Sequence, residues 1–259
     1  MSVDGVFDVI QAFDPIDLDQ LAATADLQTR ADRKYLVPRH YVERVVARLD
    51  GRALEIDGAR AFAYESVYFD TPDLVSYLGA ARRRPRRFKV RTRAYVGSRD
   101  CMLEVKVRDA RGRTVKHRFP HPFDQRRELT ADARDFVRSV DVAAPSADQL
   151  HGALTTTYRR ATLVLRGTPA RITVDLNAAF RSVDGRSVHL DDLAWIETKT
   201  PGPPCPADRL LWRDRYRPAI VSKYCTGLAA LEPDLPSNKW HRVLLTHFVD
   251  ARYSATGGE

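Results

Sequence analysis

The chain has 259 residues, 44% of them hydrophobic and 29% charged, with a formal net charge of +8. This is globular composition with enough chain for a large core, and a β-rich pattern of this length predicts one domain, residues 1–259. It excludes a bilayer span, because no apolar run approaches the ~18 residues required, and the acidic N-terminus lacks a basic-then-apolar leader.

In chain order, "DPIDLDQLAATA" (14–25) predicts a short helix with a proline near its start. "TRADRKYLV" (29–37) predicts a strand ended by Pro38, and "HYVERVVARL" (40–49) has helical apolar spacing. "ESVYFDT" (65–71) predicts a second strand. Asp70 or Thr71 then caps a helix that has Pro72 near its start and runs toward Ala81. Strands follow near 87–96, 101–108 and 113–119, the last two joined as a hairpin by "DARGR". Thr130 caps the next helix. After "APSADQ" the strands resume with "TTTYRRATLVL", "ARITVDLNAAF" and "LAWIETKT". "PADRLLWRDR", "SKYCTGLAAL" and "NKWHRVLLTHF" read as helices. The hairpin-like spacing predicts an antiparallel sheet of about eight strands, an α+β architecture able to close into a barrel.

Side chains alternate faces along a strand. Over 89–96, Lys89, Arg91, Arg93 and Tyr95 oppose Val90, Thr92, Ala94 and Val96. Over 101–108, Glu104, Lys106 and Arg108 oppose Leu103, Val105 and Val107. Tyr158 and Arg160 oppose Ala161 and Leu163; Arg171, Thr173 and Asp175 oppose Ile172 and Val174; Glu197 and Lys199 oppose Ala194 and Ile196. Residues 82–118 hold 15 lysines and arginines against 3 acids. Unit charges about 4 Å apart interact by roughly 4 kcal/mol at an effective dielectric near 20, so converging cations call for an anion. Arginine forks suit phosphate oxygens. The pattern predicts an inverted barrel: charged faces inward, aliphatic faces outward under the inserted helices. The plainer alternative is an antiparallel sheet with one wet face.

Other chemistries lack their residues. There is no phosphate-binding Gly-x-x-x-x-Gly-Lys-Ser/Thr loop and no Gly-x-Ser-x-Gly elbow. The histidines lack ligand spacing. Cys101, Cys205 and Cys225 form neither a disulfide framework nor a zinc pattern, which fits a reducing, cytoplasmic setting. "RRRPRRFKVR" could grip nucleic acid, with Phe88 and Tyr95 stacking on bases. No RNA-binding motif accompanies it, so nucleic acid is not the favoured partner.

In order, "DRKYLV" (32–37), "YFDT" (68–71), "KVRTRAY" (89–95), "LEVKVR" (103–108), "YRRA" (158–161), "RITVD" (171–175), "IETK" (196–199) and "SKY" (222–224) resemble the VTC domain. This is the polyphosphate-polymerase module of the vacuolar transporter chaperone, within the triphosphate tunnel metalloenzymes. The resemblance runs over about residues 27–231, leaving 232–259 as a C-terminal helix and tail. It implies an eight-stranded antiparallel tunnel and metal-dependent phosphoryl transfer, with polyphosphate synthesis from ATP favoured. A triphosphatase, or a protein that only binds polyphosphate, is the alternative. By motif, Lys34, Arg91, Arg93, Lys106, Arg160 and Arg171 would act on the phosphates. Lys116, Tyr158, Lys199 and Lys223 would bind substrate, Lys223 from a helix near the tunnel mouth. Glu197 would hold Mn²⁺ or Mg²⁺, with Asp32 as a further candidate ligand. The first strand reads Asp32-Arg33-Lys34, where the cyclase and thiamine triphosphatase branch carries Glu-x-Glu-x-Lys. The membrane-spanning domains of eukaryotic relatives have no counterpart here, so a membrane-protein partner would supply any coupling to transport.

Overall fold

The computed structural model describes residues 5–25, 31–109 and 112–254. Its helices are α1 (Gly5–Gln11), α2 (Leu18–Ala25), α3 (Arg39–Val46), α4 (Val75–Ala81), α5 (Ala131–Arg138), α6 (Pro206–Arg213), α7 (Lys223–Leu231) and α8 (His241–His247). Its strands are β1 (Asp14–Ile16), β2 (Ala31–Pro38), β3 (Gly51–Leu54), β4 (Phe62–Asp70), β5 (Arg87–Tyr95), β6 (Asp100–Arg108), β7 (Thr114–Pro120), β8 (His151–Leu165), β9 (Arg171–Ser182), β10 (Ser187–Leu190), β11 (Leu193–Thr200) and β12 (Arg252–Ser254). Part of the turn expected at 109–113, and the start of the strand expected at 29–37, lie outside the described residues. The described chain forms two units, and β8 and β9 run through both.

The first unit draws on residues 1–62, 158–178 and 190–220. Here β11 lies antiparallel between β2 and β9, while β3 pairs antiparallel with β8 and parallel with β1. Alternation sends Tyr35, Val37, Ile172, Val174, Ala194 and Ile196 to one side, where they pack with Val6 and Ile10 of α1, Val42 and Val45 of α3, and Leu211 of α6. Fully burying one such side chain stabilises the fold by roughly 1.5–3 kcal/mol. Asp208, fully buried, anchors α6 to the sheet. It accepts hydrogen bonds from Tyr35 Oη and Thr198 Oγ1, each at 2.7 Å, and from the Cys205 amide at 2.9 Å. Arg33 Nη1 adds an ion pair at 3.5 Å.

The second unit draws on residues 63–157, 179–189 and 221–259. The meander β4-β5-β6-β7 is antiparallel throughout. Val67, Phe69, Val90, Leu103 and Val105 pack on one side with Ala133 and Val137 of α5, and Thr130 Oγ1 caps α5 at the Ala133 amide. The start of α4 is held from a distance. Asp70, fully buried, accepts from the Thr71, Ser76 and Tyr77 amides, and Thr71 Oγ1 from Val75. Both expected cap residues therefore serve α4, although Leu74 (φ 56°) occupies the formal cap position. In α7, a Cβ on Gly227 would lie 2.3 Å from Cδ1 of buried Phe180, so only glycine fits there.

The α+β, mainly antiparallel architecture is as expected; the eight-stranded closed barrel is not. The sheet has twelve strands, and β7 pairs only with β6 and β2 only with β11 among the described residues, so the ladder stays open. Alternation reports which side chains share a face and carries no information on closure. The additional strands β1, β3, β10 and β12 have three or four residues each, too few for a period of two to be read. The helix expected over 14–25 begins only at Leu18, because Asp14–Ile16 pairs with Arg52–Leu54. Nor do all helices cover aliphatic faces. The start of α7 lies against the charged side of the second unit: Ser222 Oγ accepts from Lys89 Nζ at 2.7 Å, and Tyr224 stacks on Tyr68 at 5.0 Å.

Candidate functional site

Each unit carries charge on the side of its sheet opposite its core. In the first unit, register does the assembly. Glu197 on β11 lies opposite Lys34 on β2 and Thr173 on β9, and Lys199 lies opposite Asp32 and Arg171. Directly opposed residues share a face, so Asp32, Lys34, Arg171, Glu197 and Lys199 share the side away from Tyr35 and Ile196. On β8, Arg160 donates from Nε and Nη2 to the two oxygens of buried Asp175, at 2.6 and 2.8 Å, and lies 5.2 Å from the Tyr158 ring centroid. Burial works against the Arg160 charge, but Asp175, Tyr158 and Glu197 outweigh it and hold the guanidinium protonated. Lys199 Nζ is 3.8 Å from Glu197 Oε2. Burial, with Arg171 and Arg160 nearby, pulls its ammonium down to about 8 against the opposing pull of Glu197 and Asp32. The first unit thus unites Asp32, Lys34, Tyr158, Arg160, Arg171, Glu197 and Lys199.

In the second unit, β5 and β6 set Arg91 opposite Glu104 and Lys89 opposite Lys106; β7 then sets Arg118 opposite Glu104 and Lys116 opposite Lys106. Glu104 is the hub of this face. Its side chain is only 3% exposed. It accepts from Arg91 Nε at 2.8 Å and Nη2 at 2.5 Å, and pairs with Lys116 and Arg118 at 3.3 Å. Burial alone would raise the Glu104 carboxyl, but Arg91, Arg93 and Lys116 hold it far below the usual carboxylate range. Lys116 is pulled down to about 7, first by burial and then by Arg91, Arg93 and Arg118. Tyr68 Oη accepts from Arg91 Nη1 at 3.0 Å, and Arg93 lies over the Tyr64 ring at 5.8 Å. Arg93 Nε is buried with no hydrogen-bond partner among the described residues. Thr173 Oγ1 in the first unit is in the same condition. Lys223 is the first residue of α7, next to the Ser222 cap that receives Lys89.

Glu104, Lys89, Arg118 and Thr173 join these faces although the motifs did not nominate them. Strand alternation already aligned Lys89 with Arg91 and Glu104 with Lys106; the hub role of Glu104 emerges only from the β5–β6–β7 register. Arg33, between two expected residues, points the other way and bonds Thr200 Oγ1 and the Gly202 carbonyl. Among the described residues no three of His, Cys, Asp and Glu cluster as a ready-made cation cage. The donor set fits a different mode. Magnesium-like ions keep waters and take one or two carboxylates together with substrate phosphate oxygens. Glu197, 21% exposed, with exposed Asp32 on the same face, supplies that number.

The VTC domain model matches residues 29–232. The chain belongs to the VTC domain family. The match takes in both charged faces in full, from β2 to α7, and leaves α1, β1 and α2 before it and α8 and β12 after it outside. Similar solved structures include a Bacillus halodurans protein provisionally described as an adenylate cyclase (14% identity, TM-score 0.44, covering 89% of this chain and 94% of that one). Another is HpAC1 from Hippeastrum, provisionally described as an adenylyl cyclase and reported with a dominant triphosphatase activity (15% identity, TM-score 0.45, 75% and 93% covered). A third is a conserved hypothetical protein from Pyrococcus furiosus (14%, 0.39, 72% and 88%). No curated protein sequence matches the chain. No helix among the described residues is long and apolar enough to cross a membrane.

Proposed function

We propose that this VTC-family chain catalyses metal-dependent phosphoryl transfer on a bound triphosphate or polyphosphate, and that its reaction is polyphosphate synthesis from ATP. The observation that carries this reading is the β2-β11-β9 register, which sets Glu197 among Lys34, Lys199, Arg171 and Arg160 on the face away from the apolar core. Phosphoryl transfer needs positioning and charge neutralisation more than a covalent nucleophile. Arg160, oriented by Asp175, and Arg91, oriented by Glu104, present guanidinium groups that are already fixed, so binding a phosphate oxygen costs little side-chain ordering. Arg93 brings a buried donor in need of an acceptor. Lys34, Lys106, Lys116, Lys199, Arg171 and Lys223 supply further positive charge, and Tyr158 braces Arg160 through its ring. Glu197, with Asp32, would hold Mn²⁺ or Mg²⁺, which when bound neutralises phosphate charge.

A phosphate chain end as acceptor lengthens polyphosphate; water as acceptor makes a triphosphatase. Purified chain supplied with ATP and Mn²⁺ is expected to form long polyphosphate, resolved by gel electrophoresis. Release of orthophosphate alone would transfer the assignment to hydrolysis.

A further inference from the structure

A second concentration of positive charge lies in the first unit, on the helix layer that covers its apolar side. It lines a cleft of about 590 Å³, within the size range of small-ligand sites. His40, Arg44 and Arg48 follow one another at four-residue spacing along α3 and its closing turn, so they share a side. Arg213, at the end of α6, contributes a third guanidinium to the cleft. The floor is aromatic: the rings of Tyr41 and Tyr216 meet at 4.5 Å with a 43° tilt. The one carboxylate in the lining, Asp214, is already engaged, accepting from Tyr41 Oη at 2.5 Å and from Arg213 Nε at 3.4 Å. Tyr41 is itself buried in the core, so this floor is rigid.

We propose that this cleft between α3 and the end of α6 is a binding site for a nucleoside phosphate, with the phosphate on Arg44, Arg48 and Arg213 and the base against Tyr216. The arginines outnumber the carboxylate by three to one, which selects an anion. The half-exposed Tyr216 ring selects one that carries a flat group, because an inorganic chain gains nothing from stacking. Lys34, Glu197 and Arg160 lie on the opposite side of the sheet from this helix layer. The inference therefore does not rest on the reaction proposed above, and the two can be tested apart.

The test is calorimetric titration of the full chain with AMP, and separately with orthophosphate. AMP is expected to bind saturably. Arg44→Ala/Arg48→Ala should weaken it by about tenfold or more while leaving the thermal shift produced by tripolyphosphate unchanged. Both arginines are exposed, so folding should survive. Tyr216→Leu should weaken AMP but not orthophosphate. Absence of AMP binding up to about 10 mM, or equal AMP affinity in the parent and the double arginine variant, would overturn the site. Equal response of AMP and orthophosphate to Tyr216→Leu would overturn its nucleoside component.

Discussion

The two charged faces neutralise themselves in different ways. In the first unit the charges are matched locally, Arg160 with Asp175 and Lys199 with Glu197. In the second unit a single buried carboxylate, Glu104, is shared by Arg91, Lys116 and Arg118, with Arg93 also within its field. The first arrangement keeps its carboxylate, Glu197, partly exposed beside its lysine partner. The second leaves surplus positive charge and an internal dependence on one residue. A polyanion would gain most from the second face, and a metal from the first.

The largest expected effect isolates the role of the first face. Glu197→Gln should reduce metal-dependent turnover by about 10³-fold or more, while tripolyphosphate still raises the melting temperature. Undiminished turnover would remove Glu197 from the reaction. Next, Glu104→Gln strips the hub from three cations and should cost about 3–5 kcal/mol in denaturant unfolding, the usual penalty for orphaning a buried charge. Glu197→Gln should cost about 1 kcal/mol or less, because its pair is longer and wetter. Equal losses in the two variants would break the comparison. Third, Arg93→Ala should weaken tripolyphosphate by about tenfold yet leave the empty protein as stable or more so, since it removes an unsatisfied buried donor among like charges. A parent-like affinity would take β5 out of the binding surface.

A fourth effect is in pH dependence. Folding lowers Lys116 to about 7 and Lys199 to about 8, from about 10.4 in an unfolded chain. Between those values and about pH 10 the unfolded chain holds more protons, so the stability of the empty protein should rise with pH. Tripolyphosphate affinity should fall across the same range as the ammonium charges are lost. Lys116→Met should flatten both trends; unchanged slopes would mean that Lys116 titrates normally.

The faces of the sheet were legible in the sequence because alternation is local. Lys89, Arg91 and Arg93, or Glu197 and Lys199, need no more than a period of two. Partnerships across the chain were not. The Glu104 hub requires two hairpin registers, and Asp208 reaches Tyr35 over a separation of 173 residues. The three-residue β1 and β12 and the helix α1 exist because neighbouring segments pair or pack with them, which no short window reveals. The α3–α6 cleft was equally hidden, since its two helices lie far apart in sequence.

Gly227 has a consequence for Lys223. One turn of helix separates them, and Gly227 packs tightly against the ring of Phe180. The seat of α7 is therefore limited by steric exclusion as well as held by the Lys89–Ser222 bond and the Tyr224–Tyr68 stack. Adding a single methyl group there would push the helix outward and carry the Lys223 ammonium away with it. The placement of a proposed phosphate-binding charge thus depends on a residue outside the proposed site.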